Sequence, residues 1–124
     1  MTESKIQQNI CQYLSMISNR YKFVFFSVPN ESLMMVLKMF KVPDKSCYAI
    51  VAFFKKMGLL PGTSDIVLVW HGMTYCMEVK TPTGTQSPAQ KLFESNILKA
   101  GGKYEIVRSA CDVQKILRVW EIIN

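Results

Sequence analysis

Apolar and polar positions run along this chain in two rhythms, one close to the helical period and one strand-like. Ile6, Ile10, Tyr13, Leu14 and Ile17 recur at helical spacing, with Gln7, Gln8, Gln12 and Ser15 between them. This predicts an amphipathic helix over residues 3 to 19, with Thr2 as N-cap. KFVFFSV, residues 22 to 28, is aromatic and β-branched and stops at Pro29, which predicts a first strand. SLMMVLKMFK (32 to 41) and DKSCYAIVAFFKKM (44 to 57) are helix-like on either side of Val42-Pro43.

After the loop GLLPGTS comes SDIVLVWHGMTYCMEVK, residues 64 to 80, which reads as one buried hairpin turning at His71-Gly72. SPAQKLFESNILKAGG carries the clearest helix signals: Ser87 as N-cap, Pro88 at the first position, Gln90 three residues after the cap and Gly101 past the end. A last strand over Tyr104 to Val107 and a terminal helix from about Ala110 complete the order. Strands and helices are mixed, so an α/β or α+β class with a central mixed sheet is expected.

The turn sets the register of the hairpin. If Trp70 pairs with Met73, Asp65 lies directly opposite Glu78, and Lys80 stands on the same face two residues on. Directly opposed side chains have Cβ atoms about 4.5 to 5.5 Å apart. Two acids held that close destabilise a sheet, more so when buried, and call for a compensating cation. A hard divalent ion such as Mg²⁺ takes oxygen ligands and keeps waters for a phosphate-containing substrate. Lys80 could then hold or deprotonate an attacking water, or neutralise charge building on phosphorus. The plain alternative is a pair of exposed acids at strand ends, with Lys80 pairing one of them.

Composition narrows the choice. A chain of 124 residues, 49% hydrophobic, is the size of one domain with one core. The apolar runs are broken by lysines well short of the roughly 20 residues of a membrane span. The polar start MTESKIQQNI does not resemble a signal peptide, so a cytoplasmic protein without membrane partners is expected. Cys11, Cys47, Cys76 and Cys111 have no ligand spacing and read as buried free thiols, and the lone His71 excludes a His-based metal cluster within one chain. Fifteen Lys+Arg against nine Asp+Glu leave a formal charge of +6, which suits a polyanionic partner. Lys55 and Lys56, leading into the glycine loop ahead of Asp65, are candidate phosphate contacts.

The segments ESKIQQNICQYL, SVPNE, KKMGLLPGTSDIVLV, MEVKTPTGTQSPAQKLF and AGGKYEIVRS together resemble the VRR-NUC branch of the PD-(D/E)xK nuclease superfamily, in order and over most of the chain. The resemblance implies a restriction-endonuclease-like α/β core, a central mixed sheet flanked by helices, from which the chain departs by a longer, more apolar Met-rich helical insertion around residues 32 to 57. It implies Asp65 and Glu78 as metal ligands, the Val79 carbonyl as a third oxygen, and Lys80 as the catalytic lysine. Glu3 matches an acid that faces the site, with Gln7 one turn on, and Gln90 matches an active-site glutamine. Each of these two also has a local reading: Glu3 favours a helix N-terminus, and Gln90 completes a capping box. Ser64 departs from the pattern, standing where the proline before the first acid is usual.

The expected activity is therefore Mg²⁺-dependent hydrolysis of DNA phosphodiester bonds, with Mn²⁺ as a substitute ion and branched or junction DNA as a candidate substrate, in a prokaryotic or phage-infected cell. Two competing readings are a nucleic-acid-binding module of the same fold without catalysis, and an assembly protein working through its apolar helices. LMMVLKMF is apolar on nearly every side as a helix, so a homodimer or higher homo-oligomer is expected, with Met34, Met35 and Met39 as interface candidates.

Overall fold

The computed structural model describes residues 1 to 124. Helix α1 (Glu3–Tyr21) opens at Thr2, whose hydroxyl accepts from the Lys5 N–H, and buries Ile6, Ile10 and Leu14 on one stripe. It stops where Lys22 takes a left-handed conformation, φ 58°. That turn uses up the first residues of the expected strand, so β1 is only Val24–Ser27. Helices α2 (Asn30–Met39) and α3 (Asp44–Lys56) follow, with Lys41 at φ 56° between them.

Strands β2 (Ile66–Trp70) and β3 (Met73–Val79) join through His71 and Gly72, φ 49° and 76°. Two positive φ values in a two-residue connection match the twist of a tight hairpin. Trp70 pairs with Met73 and Ile66 with Met77, the register expected from the turn. Helix α4 (Pro88–Lys99) crosses over to β4 (Lys103–Val107), which runs parallel to β3, and α5 (Ala110–Val119) follows. The sheet order is β1-β2-β3-β4, antiparallel except for its last pair. It is an α/β fold, a mixed four-stranded sheet flanked by helices.

The pleat sorts the side chains into two layers. Ile66, Leu68, Tyr75, Met77, Val79 and Val107 form one core with the buried stripes of α1 and α5. Cys76 and Tyr104, with Val67 and Ile106, pack against Phe93 and Ile97 of α4 on the other face. Glu78 and Lys80 have the parity of Cys76 and so belong to the α4 face.

Helices α2 and α3 stand apart from this core. No residue of α2 is buried, and α3 buries only Cys47. All four cysteines are free, but only Cys47 and Cys76 are buried; Cys11 is half-buried and Cys111 exposed. The expectation of four buried thiols therefore fails at the two helix positions that face outward. No helix is long and apolar enough to cross a membrane.

Candidate active site

The loop before β2 passes tightly over the start of α4. A side chain at Gly62, φ 80°, would place its Cβ 2.3 Å from the Ala89 carbonyl oxygen, so only glycine fits this crossing. The chain then enters β2 through Ser64, whose buried hydroxyl donates to the Ile66 carbonyl at 3.3 Å. Where the resembled pattern has a proline, this serine supplies a local hydrogen bond. The Val28 N–H donates to the Asp65 carbonyl at 2.9 Å, so the Asp65 backbone is held from the β1 side. Its side chain reaches the other way: Oδ2 accepts from the Val79 N–H at 2.8 Å.

Glu78, opposite Asp65 in the continued register, is 1% exposed. Its Oε1 accepts from Gln90 Nε2 at 2.9 Å, while Oε2 is buried with no hydrogen-bond partner. An ionised carboxylate so placed is costly, because one oxygen has lost water and gained nothing. Burial is the main reason that the Glu78 carboxyl is raised to about 9; the Asp65 carboxylate raises it further and Lys80 partly opposes both.

Lys80 is also buried, with its backbone N–H donating to the Val107 carbonyl at 3.0 Å and Nζ 3.8 Å from Glu3 Oε1. That separation is an ion pair rather than a hydrogen bond, and it ties the first turn of α1 to the end of β3. Glu3, Ser4 and Gln7 of α1 line one cavity with Glu31, Ser32, Met35 and Asp65. The first-helix acid and the glutamine one turn on thus face the same cavity as Asp65.

Gln90 completes the expected cap and also reaches Glu78. Ser87 Oγ accepts from the Gln90 N–H and Gln90 Oε1 accepts from the Ser87 N–H, a complete capping box. The amide nitrogen at the other end of the same group serves Glu78. The loop joining Lys80 to this cap is held by Arg108, whose Nη1 donates to the Thr81 and Gly84 carbonyls.

Asp65, Glu78, Lys80, Gln90 and Glu3 therefore gather at one end of the sheet, between the N-termini of α1 and α4. Lys55 and Lys56 are exposed in the last turn of α3, and Lys55 lines a groove with Glu31, Gly62, Ser87 and Ala89 at the rim of this site. One site residue was not singled out from sequence. Glu31, in the first turn of α2, accepts from Gln90 Nε2 at 2.7 Å. Its carboxyl is raised by burial, lowered by Lys80, and raised again by Asp65 and Glu3. The visible signal was an acid two residues beyond Pro29 in SVPNE, which a favourable helix dipole explains equally well.

No group of three or more His, Cys, Asp or Glu side chains converges to hold a metal ion. The donor set is instead two facing carboxylates, one with a buried unpaired oxygen. Mg²⁺ is commonly bound by one or two carboxylates while keeping several waters, so these residues fit it. The Val79 N–H points to the β2 side, and in a strand the carbonyl of the same residue points to that side too.

The chain thus has a mixed-sheet α/β fold with two acids, a lysine and a glutamine gathered at the sheet end. No protein-family model matches the chain, and no curated protein matches it. Among solved structures, one named "VRR_NUC domain protein" superposes with a TM-score of 0.50 at 16% sequence identity, covering 80% of this chain and 93% of that one. At that identity the likeness is one of fold.

Proposed function

We propose that this protein is a divalent-metal-dependent nuclease of the VRR-NUC type that hydrolyses phosphodiester bonds in DNA. The observation that carries the reading is the buried, unpartnered Oε2 of Glu78 facing a second carboxylate in the hairpin register. A sheet end arranged this way is completed by a cation. Asp65 and Glu78 would hold Mg²⁺, or Mn²⁺ in its place, with the Val79 carbonyl as the third protein oxygen. The ion, when bound, polarises the scissile phosphate and acidifies water.

The chain's own groups do the rest. The Lys80 ammonium would hold the attacking water or offset negative charge gathering on phosphorus. Water oxygen bonds to phosphorus and gives up a proton, the bond from phosphorus to the leaving sugar oxygen breaks, and that oxygen takes up a proton, so that none is gained or lost overall. Gln90 fixes Glu78, and Glu3 steadies Lys80. The name borne by the structural neighbour agrees with a nuclease, and the resemblance in sequence favours branched or junction DNA. Labelled linear, flap, fork and four-way duplexes incubated with Mg²⁺, Mn²⁺ or EDTA test the proposal. Metal-dependent cleavage is the expected result, and no cleavage of any substrate, together with no heat of Mg²⁺ binding, would overturn it.

Lys55 and Lys56 would contact phosphates at the rim. Replacing both with Ala is expected to weaken DNA binding about equally across sequences and to flatten its dependence on log salt by about 1 to 2. An unchanged salt slope would return them to solvated positions that favour the helix end.

The chain is also proposed to form a homodimer through α2. Met39 is 66% and Phe40 75% exposed, an apolar end with no cover from its own sheet. Met34 is half-buried in the groove against α3, and Met35 lines the acidic cavity, so Met39 is the cleaner probe. Light scattering at micromolar concentration should give a dimer for the wild type and a folded monomer for Met39→Lys; a monomeric wild type defeats the assignment.

A further inference from the structure

Glu31 shares one nitrogen with the centre of the site. Gln90 Nε2 carries two hydrogens, one donated to Glu31 Oε1 at 2.7 Å and the other to Glu78 Oε1 at 2.9 Å. Gln90 Oε1 accepts from the Ser87 N–H at 2.9 Å. Both donors of the amide and its oxygen are thus engaged, and the partners leave only one way round. Reversed, the oxygen would face two carboxylates and the NH₂ group would face another N–H. The amide joins three elements: the first turn of α2, the end of β3 and the cap of α4.

The amide engages Glu78 Oε1, which leaves Oε2 as the free, buried oxygen. Without Glu31, one hydrogen of the amide loses its acceptor, and its hold on Glu78 rests on the Ser87 N–H alone. Asn30 reinforces the same joint, its Nδ2 donating to the Leu60 carbonyl at 3.1 Å on the loop leading to Gly62.

We infer that Glu31 is a positioning residue: it latches the α2–α3 helix pair to the sheet end and, through the Gln90 amide, holds Glu78 with Oε2 free for a cation. The cation part rests on the nuclease reading above; the latch does not.

The test uses Glu31→Ala and Glu31→Gln in the full chain. Gln at this position keeps an oxygen that can accept from Gln90, whereas Ala does not. In metal-free protein, the Gln90 side-chain amide should give two exchange-protected proton signals by NMR. Glu31→Ala should shift them and speed their exchange, and Glu31→Gln should leave them protected. Unmoved signals in Glu31→Ala overturn the latch whatever the protein's activity. In Mg²⁺ titration calorimetry, Glu31→Ala should weaken binding about 10- to 100-fold, the usual cost of losing a group that orients a ligand. Glu31→Gln should stay within about 3-fold on the same reasoning. Equal losses in both variants would mean that the charge of Glu31, not its hydrogen bond, matters, and would overturn the positioning role. A wild type that binds no Mg²⁺ counts against the nuclease reading, while the amide signals still decide the latch.

Discussion

Asp65→Ala, Glu78→Ala and Lys80→Ala are each expected to abolish DNA cleavage, and Lys80→Ala alone should keep Mg²⁺ binding. Removing a group that stabilises charge in the transition state costs about 10²- to 10³-fold in rate, and losing the cation as well costs more. The acids and the lysine therefore separate in a paired experiment, single-turnover cleavage beside metal titration. Asp65→Asn is the better partner to Asp65→Ala. It loses the charge but can still accept from the Val79 N–H, a hydrogen bond that Asp65→Ala leaves unmade in a half-buried place. Full cleavage by either acid variant would remove the hairpin from the active site. Loss of Mg²⁺ binding in Lys80→Ala would instead point to collapse of the sheet end, since Lys80 is buried there and ties it to Glu3 of α1.

The parts of this site that were legible in the sequence are those fixed by local geometry. His71-Gly72 allows a two-residue turn, the turn sets the register, and the register places Asp65 across from Glu78. The Ser87 and Gln90 spacing announced a cap, and the cap formed. The role of Glu31 was not legible, because its contact joins residues 59 apart in the chain, and no periodicity links α2 to α4. The dual use of Gln90 was hidden for a related reason: capping accounts for the residue type and consumes only one end of the amide. Residues 22 to 28 looked like an unbroken strand because a left-handed Lys22 leaves no glycine to mark the turn. LMMVLKMF was readable as apolar all round, but whether such a helix is covered or exposed depends on where its neighbours fall.

Without a divalent ion, the protein should lose stability steadily as pH rises from about 5 towards 9, and Glu78→Gln should remove most of that loss. Glu78 is raised to about 9 by burial and by Asp65. Below about 4.5 it is protonated both folded and unfolded, so its contribution to stability is fully present. Between the two values the unfolded chain releases a proton that the folded chain retains, which favours unfolding by up to about 1.4 kcal/mol per pH unit. Above about 9 the loss is complete. Glu31 and Glu105 are also raised by burial and add to the same trend, so the variant flattens the curve without abolishing its slope. In Glu78→Gln, the amide oxygen can accept from Gln90 and the NH₂ group can donate to Asp65, giving the orphaned position a partner. Thermal melts in EDTA at pH 5 and pH 8 should show the wild-type Tm falling by on the order of 10 °C, a few kcal/mol for a chain of this size, and the variant falling much less. Mg²⁺ at pH 8 should restore the wild type and leave Glu78→Gln unchanged. A wild-type Tm as high at pH 8 as at pH 5 without metal would mean that folded Glu78 ionises freely, and the strain on which the cation site rests would be absent.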